Sequence, residues 1–159
     1  MSSAVLLDAG PLGRITNTLA MPATKEASEW LERLMAANHY VVIPEIADYE
    51  VRRELLRARR MPSVARLDAL QQRLVYLPIT TAMMRTAAAY WAQAREQGRP
   101  TAADAALDAD VILAAQAAAL VADPTFDSVV VATTNVGHLS RFVDARLWSE
   151  VTPDRFSIH

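Results

Sequence analysis

The chain has 159 residues, 52% hydrophobic and 21% charged, which is one domain's worth of core-forming material and excludes a disordered tail. Sixteen Lys+Arg against eighteen Asp+Glu give a net charge of −2, which excludes a uniformly basic nucleic-acid coat and leaves room for a local basic patch. Cysteine is absent, so disulfides, thiolate zinc sites and cysteine nucleophiles are excluded together.

The three histidines, His39, His138 and His159, fall at no metal-binding spacing. No apolar run reaches the roughly 18 residues that a membrane helix needs. The N-terminus, Met1-Ser2-Ser3-Ala4-Val5-Leu6-Leu7-Asp8, lacks a basic region and ends its apolar run on an acid, so it reads as a strand and not as a signal peptide. A cytoplasmic protein is expected. Lys25 is the only lysine; the other fifteen basic residues are arginine.

In chain order, the first predicted strand is 4–8, closed by the turn Asp8-Ala9-Gly10-Pro11. Ala27, Trp30, Leu31, Leu34 and Met35 have helical spacing over 24–37. Tyr40-Val41-Val42-Ile43 is a second strand, and Pro44 suits the first turn of a helix over about 45–60. Another helix follows Met61-Pro62-Ser63, carrying Val64, Leu67, Leu70 and Leu74. Strand 75–79 precedes a helix over 81–97, which Gly98-Arg99-Pro100 stops.

The segment from Asp110 to Leu120 is apolar on nearly every face, which predicts a helix buried all round. Residues 128–133 are the most strand-like in the chain, with a short helix around 137–142 after them. Strands alternating with helices predict a parallel sheet covered on both sides, in one domain spanning 1–159.

In such sheets ligands bind beyond the carboxyl ends of the strands. Asp8 ends the first strand, Glu50 lies in the second turn of the helix after the second, Asp110 starts the buried helix, and Asn135 follows the last strand. Each has a plain structural reading: Asp8 as a turn cap, Asp108 or Asp110 as a helix cap, Glu50 as the partner of Arg53 or another arginine. Together they say more. Three carboxylates crowded at one edge raise one another's pKa unless a cation neutralises them. Oxygen ligands without histidine or cysteine suit Mg²⁺ or Mn²⁺ and not zinc.

At these residues the chain resembles the PIN-domain nucleases, in particular the small VapC-type toxins of type II toxin–antitoxin systems. Leu6-Leu7-Asp8-Ala9-Gly10-Pro11-Leu12 looks like the family's first-strand motif, and Pro44 to Leu55 is similar to its second-acid helix, with Glu50 at the metal position. Asp108-Ala109-Asp110-Val111-Ile112-Leu113-Ala114-Ala115-Gln116-Ala117 resembles the third motif and favours Asp110 over Asp108. Val131 to Leu139 resembles the last, where Asn135 is neutral and many members carry an acid. The resemblance implies a three-layer α/β/α PIN-like fold with a central parallel sheet. It implies a Mg²⁺-dependent (or Mn²⁺-dependent) endoribonuclease with Asp8, Glu50 and Asp110 as the catalytic metal-holding acids. Asn135 is expected as a fourth or water-mediated metal ligand and Thr133 as the residue orienting a neighbour. It also implies a homodimer, an RNA substrate and a VapB-type antitoxin.

Arg52, Arg53, Arg57, Arg59 and Arg60 form the densest basic cluster. Arg52, Arg53 and Arg57 are candidates to guide RNA phosphates; the alternative is a solvated helix face paired with Glu45, Asp48 and Glu54. Trp30, Trp91, Trp148 and Tyr90 are expected in the core or a subunit contact. A phosphoacceptor receiver domain needs a late lysine, and Lys25 is not one. A haloacid-dehalogenase-type phosphatase needs Asp-x-Asp-x-Thr at the first strand, and nucleotide-binding folds need a glycine-rich loop. None is here. The remaining rival is a catalytically weak or inactive PIN-like RNA-binding or assembly module, which the neutral Asn135 favours.

Overall fold

The computed structural model describes residues 2–19, 21–97 and 104–155; the stop signal at 98–100 and His159 lie outside them. Its strands are β1 (Ser3–Leu7), β2 (Tyr40–Pro44), β3 (Val75–Leu77), β4 (Ser128–Thr133) and β5 (Ala145–Leu147). They form one sheet in the order β3-β2-β1-β4-β5, every neighbouring pair parallel. The helices are α1 (Ala9–Thr16), α2 (Pro22–Ala36), α3 (Glu45–Arg57), α4 (Met61–Arg73), α5 (Thr81–Glu96) and α6 (Asp104–Val121).

The period-two alternation of the strands divides the core into two layers. Val5, Leu7, Val41, Ile43, Val130 and Ala132 point to one face, where they meet Leu12, Ile15, Trp30, Leu31, Leu34, Leu67 and Leu70 from α1, α2 and α4. Ala4, Leu6, Val42, Val129 and Val131 point to the other, against Leu113, Ala114 and Ala117 of α6. Alanine on α6 lets that helix approach both the sheet and α5 closely. Residues Leu113 to Ala117 are all buried, as the apolar pattern predicts, while Ala119 and Val121 reach solvent. The helix α3 sits at the boundary, giving Ala47 and Val51 to the first layer and Ile46 to the second.

Several expected boundaries move. Residues 9–16 form α1, where the sequence reads as a turn over Asp8-Ala9-Gly10-Pro11; Pro11 stands in its first turn, where the donor that proline lacks costs little. The helix expected over 45–60 ends at Arg57. Arg59 takes a left-handed φ of 55°, Arg60 N–H donates to the Leu55 carbonyl (2.9 Å) and Arg59 N–H to that of Leu56 (3.1 Å), a Schellman termination. The third strand stops at Leu77, and the short helix near 137–142 is a 3₁₀ turn, Leu139–Arg141. A fifth strand, Ala145–Leu147, adds to β4.

The start of α1 lies close under the chain leaving β4. A Cβ on Gly10 would stand 2.5 Å from both Thr134 Cγ2 and Thr134 Oγ1. Gly10→Ala is therefore expected to lower stability by about 1–3 kcal/mol through overpacking, despite the better helix propensity of alanine. Urea denaturation checks it, and Thr134→Gly in the same chain should restore most of the loss.

Candidate active site

All β-strands release the chain at one edge of the sheet, and Asp8 is the first residue beyond β1. Its amide still donates to the Ala132 carbonyl at 3.0 Å, but its φ of −71° and ψ of 168° make it the N-cap of α1 and not the last residue of the strand. Asp8 Oδ1 accepts from the Ala9 amide (2.7 Å) and Oδ2 from Thr133 Oγ1 (2.7 Å). Thr133 is fully buried at the end of β4, and its hydroxyl also accepts from the Asn135 amide at 3.1 Å. One hydroxyl thus ties Asp8 to the loop carrying Asn135. The Asn135 side chain is exposed, next to Gly137, whose φ of 23° keeps that turn tight.

Glu50 lies in the second turn of α3, the helix leaving β2, and is half-buried. Asp110 is half-buried on α6, which begins at Asp104, so Asp110 lies in its second turn and not at its start. Asp108, expected as a candidate cap, is also inside α6, exposed and lining a cavity of about 390 Å³ with Trp91 and Met84.

The three acids sense one another. Burial pushes Glu50 up to about 7, with repulsion from Asp8 adding to the rise, Arg53 opposing it and Asp110 adding further. Burial and repulsion from Asp8 push Asp110 up to about 6. Among the described residues no three or more His, Cys, Asp or Glu side chains stand close enough together to hold a metal ion. The donor chemistry nonetheless fits a hard divalent cation: oxygen atoms only, with excess negative charge and partial exposure.

The arginines after Glu50 divide. Arg52 donates to Asp48 Oδ1 through Nε (3.2 Å) and Nη2 (3.0 Å), and its Nη2 pairs with Asp68 Oδ1 of α4 at 2.8 Å. Asp48 is buried, which corrects its reading as part of a solvated face. Arg57 pairs in solvent with Glu54 at 2.7 Å, as that reading expects. Arg53 is exposed, lies over the Tyr49 ring at 5.1 Å and is close enough to Glu50 to oppose the rise in its pKa. Trp30 and Trp148 meet edge to face in the core at 5.4 Å, whereas Trp91 is 38% exposed.

Two anchoring groups escaped the sequence reading. Tyr76 of β3 donates toward Asp48 Oδ2 (3.1 Å), holding α3 to the sheet. Gln116 of α6 is fully buried and bonded to both α3 and the end of β3. Its one signal in the sequence is an amide inside an otherwise apolar run.

No protein-family profile and no curated protein sequence matches the chain. Solved structures do. A chain of VapBC2 from Rickettsia felis, bound to a DNA fragment from its promoter, superposes with a TM-score of 0.67 at 15% identity, covering 91% of this chain and 98% of that one. A chain of VapBC-1 from nontypeable Haemophilus influenzae gives 0.62 at 18% identity, covering 92% and 99%. A chain of FitAB bound to an IR36 DNA fragment gives 0.57 at 20%, covering 98% and 99%. The shared feature is the fold, a three-layer α/β/α PIN-like arrangement around a parallel sheet.

The raised acids set the sign of a pH effect. With native pKa values of about 7 and about 6 against ordinary values of 4.5 and 3.8, the native state holds protons that the unfolded chain has already lost. The contribution of these two acids to the stability of the metal-free protein should be largest below about pH 4, fall as the pH rises to about 7, and level off above it. Asp8→Asn removes its own repulsion of both groups, leaves their burial and the Asp110–Glu50 repulsion, and should make that slope shallower. Urea denaturation from pH 4 to 8 on both proteins, with carboxyl NMR titration of Glu50 and Asp110, measures it.

Proposed function

We propose that this chain is a Mg²⁺-dependent endoribonuclease cleaving RNA phosphodiesters, the toxin of a VapBC-type toxin–antitoxin pair. The observation that carries the reading is the electrostatic conflict among Asp8, Glu50 and Asp110, three acids delivered by separate elements to one end of one sheet. A stable fold keeps such a conflict where a ligand relieves it. Asp8, Glu50 and Asp110 would hold Mg²⁺ or Mn²⁺, with Asn135 contributing a neutral oxygen, directly or through water.

When bound, the cation activates water at neutral pH and offsets the charge that grows on the phosphoryl oxygens. The protein's own contribution is orientation. Asp8 is fixed by Ala9 and Thr133, so its carboxylate does not turn away from the edge. Arg53, exposed beside Glu50, is the arginine best placed to draw an RNA phosphate toward the acids. Arg57 extends that charge at the surface, and Arg52 acts by fixing α3. No side-chain nucleophile is required, in keeping with the absence of cysteine.

The named neighbours are VapBC and FitAB assemblies, two of them bound to DNA, which supports a VapB-type antitoxin as this chain's partner. Exposed apolar side chains such as Met84 and Trp91 support a homodimer. Among the described residues no helix is long and apolar enough to cross a membrane, and the cytoplasm, where RNA is abundant, is the proposed location. The second reading, a weakly active or inactive RNA-binding module, is favoured by two observations: among the described residues no three acids stand close enough to hold a metal ion, and the fourth position is the neutral Asn135.

Incubation with a mixed RNA substrate separates the two. Cleavage is expected with Mg²⁺ and none with EDTA. Asp8→Asn and Asp110→Asn should each lose at least about 100-fold, the upper end of what removing an outer partner of a metal ligand costs. Equal cleavage by wild type and variants refutes the proposed site. Mg²⁺ binding without cleavage of any RNA favours the binding module.

A further inference from the structure

The helix α3 starts without a cap of its own. Its N-cap is Pro44, which makes no side-chain cap bond, and the first-turn amides of a helix have no partner within it. The amide of Ile46, in that turn, instead donates to Gln116 Oε1 at 3.3 Å. Gln116 Nε2 donates in turn to the carbonyl of Leu77, the last residue of β3, at 2.7 Å. The side chain is 0% exposed, so neither end can exchange its partner for water.

Both donor and acceptor are needed. A carboxylate would face the Leu77 carbonyl with like charge, and an apolar side chain would leave a buried amide and a buried carbonyl unpaired. Glu45 acts alongside, Oε1 accepting from the Ile79 amide at 2.9 Å. The first turn of α3 is thus placed by α6 and by the segment after β3.

Gln116 and Asp110 share α6, and Ile46 and Glu50 share α3 about one turn apart. A bond that fixes the first turn of α3 against α6 therefore fixes the two helices that carry two of the three acids. We propose that Gln116 is a positioning residue that sets the spacing of Glu50 against Asp110, and so the affinity of the acid site for a divalent cation. The affinity half rests on the proposed function; the spacing half does not.

Gln116→Met keeps the volume and removes the amide, and Gln116→Glu keeps the acceptor for Ile46 should the methionine variant fail to fold. Because the chain has no cysteine, nitroxides on Leu56→Cys of α3 and Val121→Cys of α6, both exposed, report the helix separation directly. Trp30→Phe is the control: it breaks a buried bond from Trp30 Nε1 to the Val151 carbonyl (2.7 Å) in the other core layer.

In the Gln116 variants the distance distribution should shift or broaden, and the Mn²⁺ Kd should rise about tenfold. Trp30→Phe should lower the melting temperature and leave both readings at wild-type values. An unchanged distribution overturns the positioning role, as does an equal loss of Mn²⁺ affinity in Trp30→Phe. A wild type that takes no Mn²⁺ while the Gln116 variants still displace α3 refutes the proposed function and leaves the positioning role standing.

Discussion

All five strands run in one direction, and the rest of the molecule follows from that constraint. A parallel pair cannot close with a hairpin; each connection must cross back over a face of the sheet, and here helices do so on both faces. Every strand then releases the chain at the same edge. Asp8 leaves β1 there, α3 with Glu50 leaves β2 there, and the loop with Asn135 leaves β4 there. Asp110 is the exception. It arrives on α6, which reaches the edge by lying against the sheet, so its position depends on helix packing and not on strand register.

Gathering acids at that edge has an energetic consequence that the chain offsets only in part. Asp8 is the best satisfied, taking a backbone amide and the buried Thr133 hydroxyl. Glu50 has the nearby Arg53 but also loses water and faces two like charges. Asp110 has burial and repulsion from Asp8 against it. Asp48, on the same helix as Glu50, is buried, and it is met by Arg52 and Tyr76. The contrast within one short helix, Asp48 met by a cation and a hydroxyl and Glu50 raised despite Arg53, separates an acid that builds the fold from one that the proposed site would use.

Much of this was legible in the sequence. The alternation of Val5, Leu6 and Leu7, the run 40–43 and the run 128–133 carry the parallel sheet because β-branched and large apolar residues buried on both faces leave little other choice. The acids at strand ends were legible because topology dictates where strand ends go. The misses have physical causes. Asp8 to Pro11 look like a turn because Gly10 and Pro11 are turn formers, yet both are tolerated in a helix's first turn. The β5 strand is three residues long, too short to show periodicity. The end of α3 at Arg57 depends on a left-handed arginine, a conformation that residue type does not announce.

What no periodicity could convey is how α3 is held. Its buried side chains are few, Ile46, Ala47, Asp48 and Val51, and one of the four is an acid. Apolar contact is non-directional, and a helix held by three small-to-medium side chains can slide or roll with little loss. The polar contacts cannot slide: Tyr76 and Arg52 grip Asp48, Asp68 of α4 grips Arg52, Glu45 takes the Ile79 amide and Gln116 takes the Ile46 amide. Each is directional, and those to the buried Asp48 and the fully buried Gln116 are shielded from water, where such bonds are strongest. The helix that carries Glu50 is therefore the one positioned by hydrogen bonds and ion pairs more than by packing. That is the arrangement expected when the angle and depth of one carboxylate matter more than the stability its helix contributes.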